Sequence, residues 1–203
     1  MFLDFSKAFD TVNHAILLKK MERYGIRGVP LQLFASYLTN RQQYVQMGNT
    51  ISSKQTMTFG IPQGSSLGPV LFLIYINDLP NCSNALTFRI FADDTNIFAS
   101  ACNLKDLEEI VNSELKKVKI WCDVNRLSIN FTKTNFMIIK SSKKKDEQVS
   151  IKIESADGTI NVLQRKQKIK YLGVLLDETM SFNRDIFYTS VQELRETMVL
   201  YLS

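Results

Sequence analysis

Two adjacent aspartates, Asp93 and Asp94, are the side chains whose types and spacing point most directly to chemistry. Apolar and polar residues alternate before them over residues 86–92, and residues 95–99 after them are again extended and apolar-rich. Two strand-like runs that meet at an Asp-Asp pair predict a tight β-hairpin, because Asp accepts turn conformations and hydrogen-bonds its own backbone there. Neighbouring carboxylates repel each other unless a cation lies beside them. The pair therefore predicts a Mg²⁺-binding tip, with an ordinary exposed turn as the alternative.

A third aspartate, Asp4, lies on a strand-like run near the start of the sequence. If the hairpin pairs beside that run, three carboxylates from separate elements meet at one end of a sheet. A two-metal site, with ions about 3.5–4 Å apart, needs bridging carboxylates of this kind. Because Mg²⁺ keeps waters and substrate phosphates among its ligands, few protein ligands suffice.

The remaining sequence predicts helices and strands that would position these carboxylates. Cap and periodicity signals predict helices that begin near Asn13, Pro30 and Asn103, and the apolar run over residues 70–79 favours a buried helix over a strand. Hairpins are predicted around Gly48-Asn49 and Asp157-Gly158, an extended segment over residues 170–176, and an amphipathic helix at the end, with Phe187, Val191, Leu194, Met198 and Leu202 on one face. Because most strands are hairpin-connected, the α+β class is favoured.

Charge is distributed unevenly along the 203 residues, whose formal net charge is +5. Residues 133–170 contain ten Lys or Arg against four Asp or Glu, including the predicted charged turn at residues 143–145. A locally basic segment predicts a polyanionic partner, with a solvated surface hairpin as the alternative.

The three cysteines are far apart and form no CxxC pair, which argues against a disulfide framework or a zinc site. Sparse cysteines fit a reducing intracellular compartment, without separating nucleus from cytoplasm. The sequence shows no signal peptide, and its longest apolar run is too short for a transmembrane segment, so no membrane partner is expected.

The order of motifs gives a resemblance to a known family. Five blocks, in the family's order, make the sequence closely resemble reverse transcriptases, and most of all those of non-LTR (LINE-like) retrotransposons: Phe2-Leu3-Asp4-Phe5-Ser6-Lys7-Ala8-Phe9-Asp10, Gly60-Ile61-Pro62-Gln63-Gly64-Ser65-Ser66-Leu67-Gly68-Pro69, Phe91-Ala92-Asp93-Asp94, Leu127-Ser128-Ile129-Asn130-Phe131-Thr132-Lys133-Thr134 and Tyr171-Leu172-Gly173-Val174. The resemblance implies a polymerase palm, with a small antiparallel sheet backed by helices. The reaction that it implies is nucleotidyl transfer from a dNTP to the 3′-hydroxyl of a DNA primer on an RNA template.

The resemblance also implies a role for each matching residue. Asp4, Asp93 and Asp94, with the carbonyl of Phe5, would hold two Mg²⁺ ions, for which Mn²⁺ could substitute. The remaining implied roles are a steric gate against a 2′-hydroxyl for Phe9, contacts along the nascent base pair for Gln63 and Gly64, general-acid protonation of pyrophosphate for Lys133, and a primer grip for Tyr171, Leu172 and Gly173. The alternatives are a core aromatic for Phe9 and an exposed lysine for Lys133.

Two polar residues near the first aspartate are given no part in the chemistry. Asp10 follows Asp4 by six residues, and we interpret it as a helix cap or a local structural carboxylate. His14, the only histidine, is predicted to lie on a helix surface, because nucleotidyl transfer needs no histidine base.

The sequence departs from the family in what surrounds these motifs. Only three residues precede Asp4, so we expect an N-terminally truncated palm over residues 1–176 and the start of a thumb or connection helix over residues 177–203, with fingers and thumb largely missing. Three hypotheses follow: an RNA-directed DNA polymerase or its palm, an inactive remnant that only binds RNA or DNA, and a folded fragment with neither property. The sequence does not define the oligomeric state.

Overall fold

The computed structural model describes residues 1–139, 148–155 and 157–179. Within them the helices are α1 His14–Arg23, α2 Val29–Leu38, α3 Gly68–Ile76 and α4 Leu104–Val124, with short 3₁₀ helices at Ala8–Asp10 and Leu79–Cys82. The strands are β1 Phe2–Leu3, β2 Gln42–Gln43, β3 Gln46–Met47, β4 Thr50–Ile51, β5 Gln55–Thr56, β6 Thr87–Phe91, β7 Asp94–Phe98, β8 Asn135–Phe136, β9 Lys152–Glu154, β10 Ile160–Val162, β11 Gln164–Arg165, β12 Lys168–Tyr171 and β13 Val174–Asp177.

Five strands form the main sheet, in the order β11-β8-β1-β7-β6. The short strand β1 lies at its centre and pairs antiparallel with both β7 and β8, and β6 pairs antiparallel with β7. Strand β11 adds one parallel pair at the edge beside β8. Helices and small, mostly antiparallel sheets confirm the predicted α+β class.

Local sequence signals account for where the helices begin. The side chain of Asn13 accepts a hydrogen bond from the backbone N–H of Ile16 at 3.0 Å, and Asn103 accepts one from Asp106 at 2.8 Å. Both predicted caps are confirmed, and each satisfies a backbone donor that the helix leaves unpaired. Pro30 lies in the first turn of α2, where its missing N–H costs no hydrogen bond. The apolar run over residues 70–79 is a helix for most of its length.

One cluster of buried apolar side chains joins the main sheet to α1, α3 and α4. Its members include Leu3, Phe5, Leu17, Met21, Leu71, Phe72, Tyr75, Ile76, Leu115, Val118 and Cys122. Burying each large aliphatic or aromatic side chain contributes about 1.5–3 kcal/mol. Since neighbouring residues of a strand point to opposite faces, the burial of Leu3 directs Asp4 to the other face of the sheet.

A buried charge network ties α1 to the end of α3, and we call it the Lys20 cluster: Lys20, Tyr75, Asp78 and Trp121. The ammonium of Lys20 donates to the backbone oxygen of Tyr75 at 2.6 Å and pairs with the Asp78 carboxylate at 2.5 Å. It also lies 5.1 Å and 4.8 Å from the ring centroids of Tyr75 and Trp121. Burial lowers the pKa of Lys20, and the hydrogen bond and charge of Asp78 oppose that shift.

The C-terminal part of the described chain consists of hairpins. Strands β9 and β10 pair around Asp157 and Gly158, as predicted. The extended segment predicted over residues 170–176 is wrong as a single strand, because a turn at Leu172 and Gly173, with φ of 45° and 86°, folds it into the β12–β13 hairpin. The charged turn at residues 143–145 and the final helix lie outside the described residues, as does the predicted unit 177–203 beyond residue 179.

Candidate active site

The pairing register of the main sheet brings Asp4 beside Asp94. Leu3 pairs with Thr95 across the antiparallel β1–β7 ladder, so the next pair along the same register is Asp4 and Asp94. Leu3 and Thr95 are buried on the inner face, whereas Asp4 is half-buried and Asp94 is exposed on the opposite face. Two carboxylates that are 90 residues apart in sequence thus lie on the same end and face of one sheet.

The third carboxylate lies in the turn between β6 and β7. The ladder ends at the pair Phe91 and Asp94, so Ala92 and Asp93 form a two-residue turn. The hairpin is therefore confirmed, with its turn one residue earlier than Asp93-Asp94. Ala92 has a φ of 53°, in the left-handed region that costs an L-residue about 1–2 kcal/mol. We call Asp4, Asp93 and Asp94 the carboxylate triad.

The electrostatics of the carboxylate triad are repulsive. Partial burial raises the pKa of Asp94, and the negative charges of Asp93 and Asp4 raise it further. Within the described residues, no ion pair joins a triad carboxylate to a lysine or arginine. In this part of the chain no group of three or more His, Cys, Asp or Glu side chains, the triad included, is arranged so that it could hold a metal ion. The donor chemistry suits a hard cation that completes its shell with water and phosphate oxygens.

Lys133 lies on a turn that is anchored to the backbone of Asp4. The N–H of Asn130 donates to the Asp4 carbonyl at 2.9 Å, and the Asp4 N–H donates to the hydroxyl of Thr134 at 3.2 Å. Thr134 is buried, whereas Lys133 is exposed between these two anchors. The turn therefore places Lys133, which forms no ion pair within the described residues, between two attachments to the backbone of Asp4, a residue far away in the sequence.

Phe9 occupies the 3₁₀ helix that follows the first strand. Its ring is half-buried and packs on Phe72 of α3, with centroids 4.8 Å apart and an interplanar angle of 34°. The packing fixes the ring against the core while leaving part of it accessible.

The loop over residues 60–64 is fastened to the same 3₁₀ helix by its backbone. The N–H of Gly60 donates to the carbonyl of Val12 and that of Ile61 to the carbonyl of Phe9, both at 2.9 Å. Gly60 has a φ of 86°, and a Cβ there would lie 2.9 Å from the backbone oxygen of Asp10. Only glycine combines this conformation with so close an approach.

His14 forms the next attachment of this loop. Its Nε2 hydrogen-bonds the carbonyl of Gly60 at 2.7 Å, and the residue is 8% exposed. The predicted helix-surface position is therefore wrong: His14 opens α1 with its ring turned inward, because the Gly60 carbonyl provides a buried partner. The sequence carried a weak signal for this contact, namely a lone histidine one residue after a helix cap.

Gln63 and Gly64 lie exposed at the far end of the loop. The side-chain nitrogen of Gln63 donates to Oδ1 of Asp10 at 2.9 Å. Asp10 is therefore not the cap of α1, a position that Asn13 takes, but a local partner of the loop. Gly64 has a φ of 78°, and no described atom lies within 4 Å of where its Cβ would be. Its backbone conformation, and not a lack of space, therefore favours glycine at this position.

The hairpin β12–β13 lies against the face of the sheet that carries the carboxylate triad. The ring of Tyr171 meets that of Phe2 edge-on, with centroids 5.9 Å apart. Burial raises the pKa of the Tyr171 hydroxyl, and the nearby charge of Asp94 acts in the same direction. Tyr171, Leu172 and Gly173 thus form the turn side of a hairpin next to the carboxylates.

None of the helices in the described residues combines the length and apolar character needed to cross a bilayer.

Residues 1–176 match the family described as "Reverse transcriptase (RNA-dependent DNA polymerase)". The RNA-directed DNA polymerase from mobile element jockey of Drosophila funebris is 30% identical over 206 residues, which cover 98% of this chain and 21% of that protein. The probable RNA-directed DNA polymerases from transposon BS and transposon X-element of Drosophila melanogaster are 27% and 29% identical, over 96% and 92% of this chain and 22% and 20% of theirs. The chain thus spans about a fifth of the length of the curated relatives that it matches.

The extent of the family match and the similarity to jockey lead to one conclusion: the chain belongs to the reverse transcriptase family, within the group found in non-LTR retrotransposons.

Proposed function

We propose that this chain provides the catalytic palm of an RNA-directed DNA polymerase, which joins a dNTP to a primer 3′-hydroxyl with release of pyrophosphate. The observation that supports the proposal is the β1–β7 register, which aligns Asp4 with Asp94 next to the turn that carries Asp93. The three carboxylates repel one another, and a bound cation would offset that repulsion.

Reverse transcriptases use divalent metal ions, and we propose two Mg²⁺ ions here, with Mn²⁺ as a substitute. The carboxylates of Asp4, Asp93 and Asp94 and the carbonyl of Phe5 would hold them. When bound, the ions supply charge neutralisation and a lowered pKa for the attacking hydroxyl. The open, exposed arrangement of Asp93 and Asp94 suits ions that share their shell with water and a triphosphate.

The neighbouring side chains would position and discriminate the substrates. The ring of Phe9, fixed on Phe72, would collide with a 2′-hydroxyl and so favour deoxynucleotides. Gln63 and Gly64 would lie along the nascent base pair, where the carboxamide of Gln63 supplies both donor and acceptor. Tyr171, Leu172 and Gly173 would hold the primer backbone next to the carboxylates.

Lys133 would act as the general acid in this reaction. Its ammonium would donate a proton to the departing pyrophosphate oxygen, and the hydrogen bonds of its turn to Asp4 would keep that proton close to the triad. A positioned proton donor of this kind contributes about 10²–10⁴-fold to a rate.

Exposed lysines of the C-terminal hairpins would bind template and primer phosphates. Lys152 on β9 and Lys168 and Lys170 on β12 are all exposed. Contacts to phosphate carry no sequence information, so the template would be read by base pairing, and binding would weaken steeply with salt.

The test is primer extension by the purified chain on an RNA template with a DNA primer, dNTPs and Mg²⁺. Elongation by the wild-type chain, its loss in Asp93→Asn with the fold retained, and normal elongation by the exposed control Glu109→Gln would support the proposal. Undiminished product from Asp93→Asn would refute it. The binding-only alternative would be supported by three results together: RNA binding that weakens with salt, no incorporation of nucleotides, and RNA binding that is unchanged in Asp4→Asn.

A further inference from the structure

Asp10 lies beside the candidate site without any of the roles assigned above. It is the last residue of the 3₁₀ helix Ala8–Asp10, directly after Phe9. Its Oδ1 accepts a hydrogen bond from Nε2 of Gln63 at 2.9 Å, across 53 residues of sequence. Both side chains are exposed, so the contact is open to solvent and to anything that binds there.

The two side chains meet on a fixed base. The backbone bonds from Ile61 to Phe9 and from Gly60 to Val12 hold the loop to the segment that carries Asp10. A Cβ at Gly60 would lie 2.9 Å from the backbone oxygen of Asp10, so the two segments run close together there. A short, tethered hydrogen bond of this kind loses little additional conformational entropy when it forms, so it is suited to preorganising a binding group.

The chemistry of a carboxylate determines which end of Gln63 it can hold. An ionised carboxylate only accepts hydrogen bonds, whereas a carboxamide donates from its nitrogen and accepts at its oxygen. With its nitrogen engaged by Asp10, Gln63 presents Oε1 as the free end of the group. A neutral amide at residue 10 could hold either end, and the orientation of Gln63 would then be lost.

We propose that Asp10 is a positioning residue for nucleotide binding: it fixes the carboxamide of Gln63 so that its oxygen is presented to a hydrogen-bond donor on the incoming nucleotide. This inference rests on the proposed polymerase function. It predicts that Asp10 acts on the KM for the nucleotide through Gln63, while the carboxylate triad governs the rate of the chemical step.

A spectrum tests the contact independently of activity. In ¹⁵N-labelled chain, the side-chain amide resonance of Gln63 is identified by its disappearance in Gln63→Met. We expect Asp10→Asn to shift that resonance and the exposed control Glu22→Gln to leave it in place. A Gln63 resonance that is unchanged in Asp10→Asn would overturn the inference.

A double-mutant cycle in primer extension tests the consequence. Asp10→Asn is expected to raise the KM for the incoming dNTP about 10-fold with kcat changed less than about 2-fold, as for other orienting partners of binding groups. In a Gln63→Met background the same substitution should have no further effect, because its target is gone. Glu22→Gln should leave both constants unchanged.

Independent, multiplying effects of Asp10→Asn and Gln63→Met would overturn the inference, as would a fall in kcat alone. The two proposals fail separately. A wild-type chain that extends no primer contradicts the proposed function, whereas the Gln63 spectrum still decides whether Asp10 holds the carboxamide.

Discussion

The Lys20 cluster and the carboxylate triad differ in whether the protein neutralises their charges. The ammonium of Lys20 is enclosed, paired with Asp78, bonded to a backbone carbonyl and flanked by two aromatic rings. The triad collects three like charges at the end of a sheet, on an accessible face, next to a strained Ala92.

The difference separates a charge that the fold compensates from charges that it leaves uncompensated. The protein itself compensates Lys20, so removing one partner of the cluster would leave a partly buried group uncompensated, and the cluster needs no ligand from outside. Within the described residues no cation compensates the triad, so its repulsion lowers stability unless an external cation binds. Four experiments separate these two behaviours.

The largest effect is expected for Asp93→Asn. Removing a carboxylate from the triad should reduce primer extension on the order of 10³-fold, the scale seen when an electrostatic partner of a transition state is removed. The free energy of unfolding should stay the same or rise, because one repulsive charge is gone. Extension assays and urea denaturation of the same preparation check both, and a variant that loses activity only by unfolding would contradict this expectation.

Lys20→Met should show the opposite pattern. It leaves Asp78 and the Tyr75 carbonyl without their cation, and we expect a loss of about 2–4 kcal/mol in the free energy of unfolding, moderated by the partial exposure of Asp78. The control Lys117→Met removes a largely exposed cation from its pair with Glu114, whose own side chain is mostly buried, and should change stability less than Lys20→Met. Equal losses in both variants, measured by urea denaturation, would remove the distinction between a buried and a surface cation.

Ala92→Gly tests whether the hairpin tip stores strain. Glycine adopts positive φ without the Cβ penalty, so we expect a gain of about 0.5–1 kcal/mol in the free energy of unfolding. Ala99→Gly, at a position without positive φ, should lose stability instead. Thermal denaturation of the two variants checks the sign, and a loss in both would show that Ala92 carries no strain.

The smallest effect is the pH dependence that arises from Asp94. Its folded pKa lies above the unfolded value of 3.8, so its contribution to stability is complete below pH 3.8 and is lost as pH rises through the folded pKa. Asp94→Asn should therefore raise stability at neutral pH, by at most about 0.5 kcal/mol, and flatten the slope in weakly acidic solution.

Asp157 provides the control of opposite sign. A backbone hydrogen bond from Thr159 lowers the pKa of Asp157, so its contribution to stability is present above the unfolded value and lost as pH falls through the folded pKa. Asp157→Asn should reduce stability at neutral pH. Urea denaturation between pH 3 and pH 7 compares the two variants, and slopes of the same sign would contradict the assignment.

The sequence predicted the elements whose signals are local. The caps Asn13 and Asn103 and the hairpin that carries Asp93 depend on residues within a few positions of each other, so their types alone indicate the structure. The triad was predicted by another route: its membership came from motif order, while the register of Leu3 with Thr95 explains why Asp4 and Asp94 lie side by side.

The interpretations that failed involve contacts between distant segments. His14 was placed on a helix surface because its partner, Gly60, lies about fifty residues away. For Asp10, the helix cap failed and the local structural carboxylate was right, since its partner Gln63 is equally distant in sequence. The resemblance implied a hairpin at Tyr171, Leu172 and Gly173, whereas the residue pattern alone predicted an unbroken strand, because an apolar, bulky residue such as Leu172, with a φ of 45°, carries no turn signal of its own. Tertiary packing decides such positions, and local propensity does not report it.

The close approach of Gly60 to Asp10 also limits how this domain can be rebuilt. A replacement loop with any side chain at its first position would press on a main-chain oxygen, which cannot rotate aside as a flexible side chain can. The loop over residues 60–64 and the short helix Ala8–Asp10 therefore form one structural unit. A chimera that takes either segment from another protein should take both from that protein.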